Sequence, residues 1–225
     1  MSEWWTYRPE DFLLFSERVY WRLFELHNQA LWPAQSVAIA LGAAILFFVF
    51  RPQPWSGRVV TLAMAFAWLF VAWAYHWNAY ATINWAARYA ALLFAAEAVL
   101  FLWFGAVRNK LEFAMRRNPR SVLRIALVIY AIFLHPLVPL TGGRALASAE
   151  VFGLTPDPTA IATLGLLGLS GGGSRVLLLL LVPMAWCLVS WATLTTMGAW
   201  EGWIPLAAVV FALLTRPWRR PRTEH

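Results

Sequence analysis

Hydrophobic residues are grouped into seven segments that follow one amphipathic stretch. The segments cover residues 32–50, 59–80, 85–107, 122–140, 158–170, 176–197 and 200–214. At a rise of about 1.5 Å per residue, the first four and the sixth can cross a hydrocarbon core of roughly 30 Å, whereas the fifth and seventh are short. The pattern predicts an all-α integral membrane bundle of about seven transmembrane helices. Five spans are the alternative if both short segments are re-entrant.

The amphipathic stretch runs from Pro9 to Asn28. Its acidic residues begin in the first turn, where the helix dipole favours negative charge. At about 100° per residue, most apolar side chains fall on one side of the helix. We expect a helix along the outer membrane interface that acts as a bracket over the bundle or, alternatively, as a gating lid. One domain is predicted, with residues 1–30 as the interfacial part, 31–215 as the bundle and 216–225 as a basic cytoplasmic tail.

Composition and charge exclude a water-soluble globule and define an orientation. The 225 residues are 61% hydrophobic and only 13% charged, which is too apolar for a soluble chain of this size. Twelve of the 18 basic residues lie between segments on one side of the bundle, and eight of the 11 acidic residues lie on the other. The positive-inside rule therefore predicts an outside N-terminus and a cytoplasmic C-terminus. Because the basic residues lie between apolar segments and set this orientation, nucleic-acid binding is not expected. The N-terminal region lacks a basic stretch and a cleavage site, so no removable signal peptide is expected.

One acidic residue, Glu97, falls in the middle of the third segment, roughly 18 Å from its outer end by helical rise. A carboxylate that faces lipid at this depth would be costly, so the side chain must face protein or water. A buried ionisable group of this kind can carry a proton or bind a cation. Alternatively, it is a neutral carboxyl group that is hydrogen-bonded to a neighbouring helix.

Polar residues also gather near the predicted outer ends of the helices. By helical rise, His76 and His135 lie about 6 to 8 Å below the outer ends of their helices. The predicted outward-facing vestibule comprises His76, Asn78, Asn84, Arg88 and His135. Interfacial residues that cap helices and extend to water are the alternative interpretation.

The histidines are also candidate ligands for a metal ion or haem iron. His27, His76 and His135 could bind such a group, with Glu25, Glu150 or Asp157 as oxygen donors for a metal. Their spacing is not a local ligand motif, so no cofactor is predicted. Histidines that are hydrogen-bonded to water or to carbonyl groups are the ordinary alternative.

Three stretches resemble a known family: EWWTYRPEDFLLFSERVYWRLFELHNQALWPAQ near the start, YHWNAYATINWAA from Tyr75, and PDPTAIATLGLLGL from Pro156. They are similar to bacterial polytopic membrane proteins that are catalogued only as a domain of unknown function. The resemblance implies a multi-pass protein of a bacterial inner membrane and supplies no activity or ligand. Relatives of this kind often carry a cysteine between the two prolines where this chain has Asp157, so a thiol-based role is not expected.

The leading functional hypothesis is a transporter or permeation protein for an ion or small solute, with Glu97 as its buried ionisable group. The alternatives are a membrane redox or metal-dependent enzyme that uses the outer histidines, and a non-catalytic scaffold subunit of a membrane complex. No catalytic residue is identified, and a protein that is not an enzyme is preferred. The expected partners are the lipid bilayer, the transported ion or solute, and further copies of the chain or other membrane subunits.

Overall fold

The computed structural model describes residues 13–171 and 173–215, and these residues form helices and connecting turns without any strand. The helices are α1 (Glu17–Leu31), α2 (Ala34–Phe50), α3 (Ser56–Thr82), α4 (Ala87–Val107), α5 (Pro119–Thr141), α6 (Pro156–Leu169), α7 (Ser174–Thr196) and α8 (Trp200–Thr215). The predicted all-α class is confirmed, and each of the seven apolar segments forms a helix. The predicted tail, residues 216–225, lies outside the described residues.

Four of these helices are long and apolar enough to cross a membrane, namely α3, α4, α5 and α7, with 27, 21, 23 and 23 residues. The chain bends by 88° between α1 and α2, and this pair makes a fifth candidate if it is counted as one broken span. Helices α6 and α8 are shorter. By length and composition, the described part of the chain therefore holds four or five candidate spans rather than a clear seven.

Helix α1 begins later than the sequence pattern predicts. Residues 13–16 are not helical, and residues 9–12 lie outside the described residues. The helix starts at Glu17 because the Ser16 hydroxyl accepts a hydrogen bond from the Val19 amide at 3.4 Å, the contact of an N-terminal cap. It continues to Leu31, three residues beyond the predicted end.

The short helix α6 is the most enclosed element of the fold. Thirteen of its 14 residues are buried, and it packs against α5, α7 and α8. A methyl group at Gly165 would lie only 2.7 Å from the Val128 side chain, so this glycine permits the close approach of α5. Protein surrounds α6 on all sides, and this explains why a 14-residue helix can be apolar around its whole circumference.

Helix α1 is hydrogen-bonded to the chain segment that leads into α6. His27 Nε2 donates a hydrogen bond to the Leu154 carbonyl at 3.1 Å. The Asn28 amide donates to the carbonyl oxygens of Ala147 at 2.9 Å and Ala149 at 2.8 Å. Burial lowers the pKa of His27, which favours the neutral ring in this position. These contacts join α1 to the chain before α6, and the role of α1 as a bracket or a gating lid stays a prediction.

Candidate functional site

Asp157 occupies the first turn of α6 and is 2% exposed. Trp186 Nε1 donates to Oδ1 at 2.7 Å, and the Ser190 hydroxyl donates to Oδ2 at 2.5 Å. Pro156 precedes Asp157 at a position where a missing amide hydrogen costs nothing, and the helix dipole favours an acidic side chain there. Because Trp186 and Ser190 are four residues apart on α7, one face of that helix supplies both donors. Each carboxyl oxygen of Asp157 therefore accepts one hydrogen bond from α7.

Glu150 is a second buried acid beside this centre. Its Oε2 atom has no hydrogen-bond partner among the residues that the structure describes. Burial raises the pKa of Glu150 well above its usual range, the charge of Asp157 raises it further, and Arg144 acts in the opposite direction. Arg144 itself pairs with Glu201 at 2.7 Å and lies over the Trp21 ring. The Glu150 carboxyl group therefore favours its protonated form.

His76 lies in a π-helical part of α3, Val71–Ala79, and its side chain is fully buried. The centre of its ring is 4.4 Å from that of Phe94 and 4.7 Å from that of Trp186. Neither ring nitrogen has a hydrogen-bond partner within residues 13–171 and 173–215. The Trp186 side chain links this imidazole to Asp157, because its ring contacts His76 and its Nε1 donates to the carboxyl group. Short π segments are frequent at functional sites, and this one orients His76 inward.

Glu97 lies on α4 and is 0% exposed. Neither carboxyl oxygen has a hydrogen-bond partner in the described part of the chain. Phe94 precedes Glu97 by three residues on the same side of α4, so the carboxyl group lies about one helical turn from the aromatic contact with His76. Glu97 and His76 are thus unpaired polar groups on neighbouring helices of the core.

The residues of the predicted outward vestibule differ in their exposure. His76 and His135 are buried, whereas Asn78 and Arg88 are exposed. His76 and Asn78 are separated by two residues, about half a helical turn, so the two side chains point to opposite faces of α3. Residues at one depth of the bundle therefore lie on different faces here, and an outward vestibule stays a prediction.

The polar residues of that predicted vestibule have local roles instead. The Asn78 amide donates to the Trp73 carbonyl at 2.8 Å. The Asn84 side chain accepts from the Ala86 amide at 3.0 Å, at the start of α4. The Arg88 guanidinium lies 5.6 Å from the centre of the Trp77 ring. These are the capping and interfacial contacts that the alternative interpretation describes.

The structure does not bring the three histidines together as one ligand set. His27 is bonded to a backbone carbonyl, and His135 packs against the Tyr130 ring at 5.7 Å. No group of three or more His, Cys, Asp or Glu side chains in the described ranges is arranged to hold a metal ion. Of the proposed oxygen donors, Glu25 pairs with Arg22.

An open groove of about 870 Å³ runs between α1 and the chain that follows α5. Charged residues of α1 form one wall, and Arg144 and Ser148 belong to the other side. Ser148 is buried and lies two residues before Glu150. Neither Glu150 nor Asp157 lines this groove.

The model of a family of unknown function matches residues 17–224. The chain belongs to this family, DUF6064. The match includes the helices that carry Glu97, His76, Glu150 and Asp157. No curated protein and no solved structure matches the chain. What this DUF6064 member does must therefore be inferred from its own geometry.

Sequence reasoning about this DUF6064 member did not assign a structural role to Asp157 or pair it with α7. A usable signal was present, because Trp186 and Ser190 place two hydrogen-bond donors on one face of an otherwise apolar helix. Such a stripe indicates a buried acceptor on a neighbouring element. The groove beside α1 had no comparable signal, since it depends on how the chain after α5 folds back.

Proposed function

We propose that this protein is an integral membrane protein that moves protons or a small cation across the bilayer, with Glu97 as the central carrier group. One observation supports this proposal above the others: the Glu97 carboxyl group is fully buried and has no partner among the described side chains and backbone groups. A buried polar group that lacks a partner costs about 1–3 kcal/mol. The cost is offset when a proton, water molecule or cation binds there.

Asp157 provides the internal comparison. Its two oxygens each accept a hydrogen bond from α7, and this is the arrangement of a carboxyl group that holds helices together. Glu97 is equally buried and receives neither kind of donor. The contrast within one protein supports a structural role for Asp157 and a binding role for Glu97.

Packed side chains connect Glu97 with the other buried polar groups. The Trp186 side chain donates a hydrogen bond to Asp157, and its ring contacts the His76 ring. Phe94 packs against His76 and lies one turn before Glu97 on α4. Because aromatic rings do not pass on protons, the proposal requires water molecules to carry the proton or cation to Glu97.

The proposed setting is a bacterial inner membrane with an outside N-terminus and a cytoplasmic C-terminus. Seven helices, α2 to α8, would be embedded, with α1 along the outer surface. The short helix α6 needs no length to match the bilayer, because other helices enclose it. The 88° bend between α1 and α2 fits a helix that leaves the bundle and follows the interface.

The geometry gives less support to the alternative of a redox or metal-dependent enzyme. That hypothesis requires the outer histidines to act on one ligand. Instead, the His76 ring is enclosed by aromatic side chains, and His27 is bonded to the Leu154 carbonyl. Transport is therefore preferred.

The test is proton flux into liposomes that contain the purified protein and a trapped pH-sensitive dye, driven by a potassium diffusion potential. We expect flux above that of empty liposomes, and a loss of that flux in Glu97→Gln, which keeps the shape but cannot release a proton. Glu112→Gln is the matched control, because Glu112 is exposed. Equal proton flux in Glu97→Gln and wild type, or no proton flux above empty liposomes, would refute the proposal.

A further inference from the structure

A basic pocket lies at the opposite end of α5 from His135. Its volume is about 440 Å³, and it is lined by the start of α5, by Arg116 just before it, and by the chain at the end of α6. Arg116, Arg120 and Arg124 all contribute to its wall, and no acidic residue does. Three positive charges therefore face one small cavity.

Arg124 is the unusual member of this set, because it is only 6% exposed. One terminal nitrogen donates to the Thr215 carbonyl at the end of α8. Its Nε atom has no partner among the described residues. The guanidinium group packs against Gly168, where an added methyl group would lie 2.9 Å from Nε. Three helices thus meet around a buried positive charge.

No carboxylate among residues 13–171 and 173–215 pairs with this charge. The ion pairs among the described residues are Arg22 with Glu25 and Arg144 with Glu201, both far along the chain from α5. A buried charge without a counter-ion is unfavourable, whereas a buried charge that is paired with an anion is tolerated. The pocket has the chemistry of an anion-binding site.

The start of α5 adds a second source of attraction for an anion. Asn118 caps the helix, and Pro119 occupies the first position. The first-turn amide groups and the helix dipole create partial positive charge at this end. Guanidinium groups bind phosphate through paired hydrogen bonds, and a pocket of this volume admits a phosphate group with part of its substituent.

We infer that this pocket binds a phosphate group, held by Arg124 at its base and by Arg116 and Arg120 at its mouth. The phosphate belongs either to a lipid headgroup or to a soluble phosphate compound, and both present the same oxygens to the arginines. In the proposed topology the pocket faces the cytoplasm, where either source is within reach. The inference does not depend on transport, because it uses none of the residues around Glu97.

The first experiment measures thermal unfolding of the detergent-purified protein with inorganic phosphate and with chloride at matched ionic strength. A ligand that binds the folded state raises the unfolding midpoint. We expect phosphate to raise it more than chloride does. Arg120→Gln should weaken phosphate binding by about tenfold or more, because one charge-assisted bond is lost. Arg58→Gln is the matched control, since it removes an exposed arginine that does not line the pocket.

The second experiment identifies the source of the phosphate. Stability is compared in phosphatidylcholine nanodiscs with and without phosphatidylglycerol, and bound lipid is counted by native mass spectrometry. Stabilisation by phosphatidylglycerol that Arg120→Gln abolishes indicates a lipid headgroup. Stabilisation by inorganic phosphate alone indicates a soluble compound.

Two outcomes would overturn the inference. In one, neither inorganic phosphate nor phosphatidylglycerol stabilises the wild type more than Arg120→Gln. In the other, Arg58→Gln weakens binding as much as Arg120→Gln does, so that only net charge matters. Arg124→Gln should abolish binding, but it also removes a buried contact to Thr215. If Arg124→Gln does not fold, Arg120→Gln decides the matter, because the Arg120 side chain is exposed.

Discussion

The hydrogen bond between Ser190 and Asp157 joins α7 to the start of the buried helix α6, and its removal is the most direct test of the fold described above. In Ser190→Ala, Asp157 Oδ2 loses the donor that lies 2.5 Å away. Leaving a buried acceptor without its donor costs about 1–3 kcal/mol. We expect the free energy of unfolding to fall by about 2 kcal/mol, which corresponds to a midpoint roughly 4–8 °C lower for a chain of this length.

The chain carries its own probe for this measurement. Cys187 is the single cysteine of the sequence, it is buried, and it lies on α7 between Trp186 and Ser190. A dye that becomes fluorescent on reaction with a thiol will therefore report the opening of this part of the core. Thr196→Ala is the matched control, because Thr196 is on the same helix and its hydroxyl donates only to the Ala192 carbonyl.

A double-mutant cycle separates the bond from other effects of the substitution. In an Asp157→Leu background, the Ser190 hydroxyl has no carboxyl acceptor, so Ser190→Ala should change stability little. The difference between the two backgrounds is the coupling energy, which we expect to be about 1–2 kcal/mol. A Ser190→Ala effect no larger than that of Thr196→Ala, or one of equal size in both backgrounds, would refute the assigned bond.

Two further predictions concern the outer part of the molecule. Asn28→Ala removes two hydrogen bonds from α1 to the chain before α6, at 2.9 and 2.8 Å. We expect the free energy of unfolding, measured with denaturant, to fall by about 1–3 kcal/mol. The absence of any change would contradict the bracket role of α1. Glu150 has a raised pKa in the folded state, so its favourable contribution is fully present below the unfolded value of 4.5 and is lost as pH rises. Glu150→Gln should therefore have the stability of wild type near pH 4.5 and become increasingly more stable than wild type as pH rises. A stability difference that is constant at all pH values would count against the burial of an ionisable carboxyl group.

The positions of the helices followed from the sequence because apolar runs and their polar breaks are local properties. The apolar segment 122–140, for example, lies within α5, which runs from Pro119 to Thr141. The start of α1 was placed too early, at Pro9, because the capping contact between Ser16 and Val19 is seen only in the structure.

The candidate site was only partly accessible to sequence reasoning. Glu97 stands out because an acid in the middle of an apolar helix is unusual wherever its neighbours lie. Asp157 does not stand out, because Pro-Asp-Pro also suits a loop. The pairing of Asp157 with Trp186 joins residues that are 29 positions apart, and no local pattern specifies which helices become neighbours.

The enclosure of α6 also constrains how the protein is made. Two of the helices that shield α6, α7 and α8, follow it in the chain, so they leave the ribosome after it does. In the proposed membrane setting, α6 cannot reach its final surroundings during its own synthesis and must wait for the last quarter of the polypeptide, which begins with α7 at Ser174. Nascent chains that stop before α7 would then expose the sides of α6 that α7 and α8 cover in the complete fold.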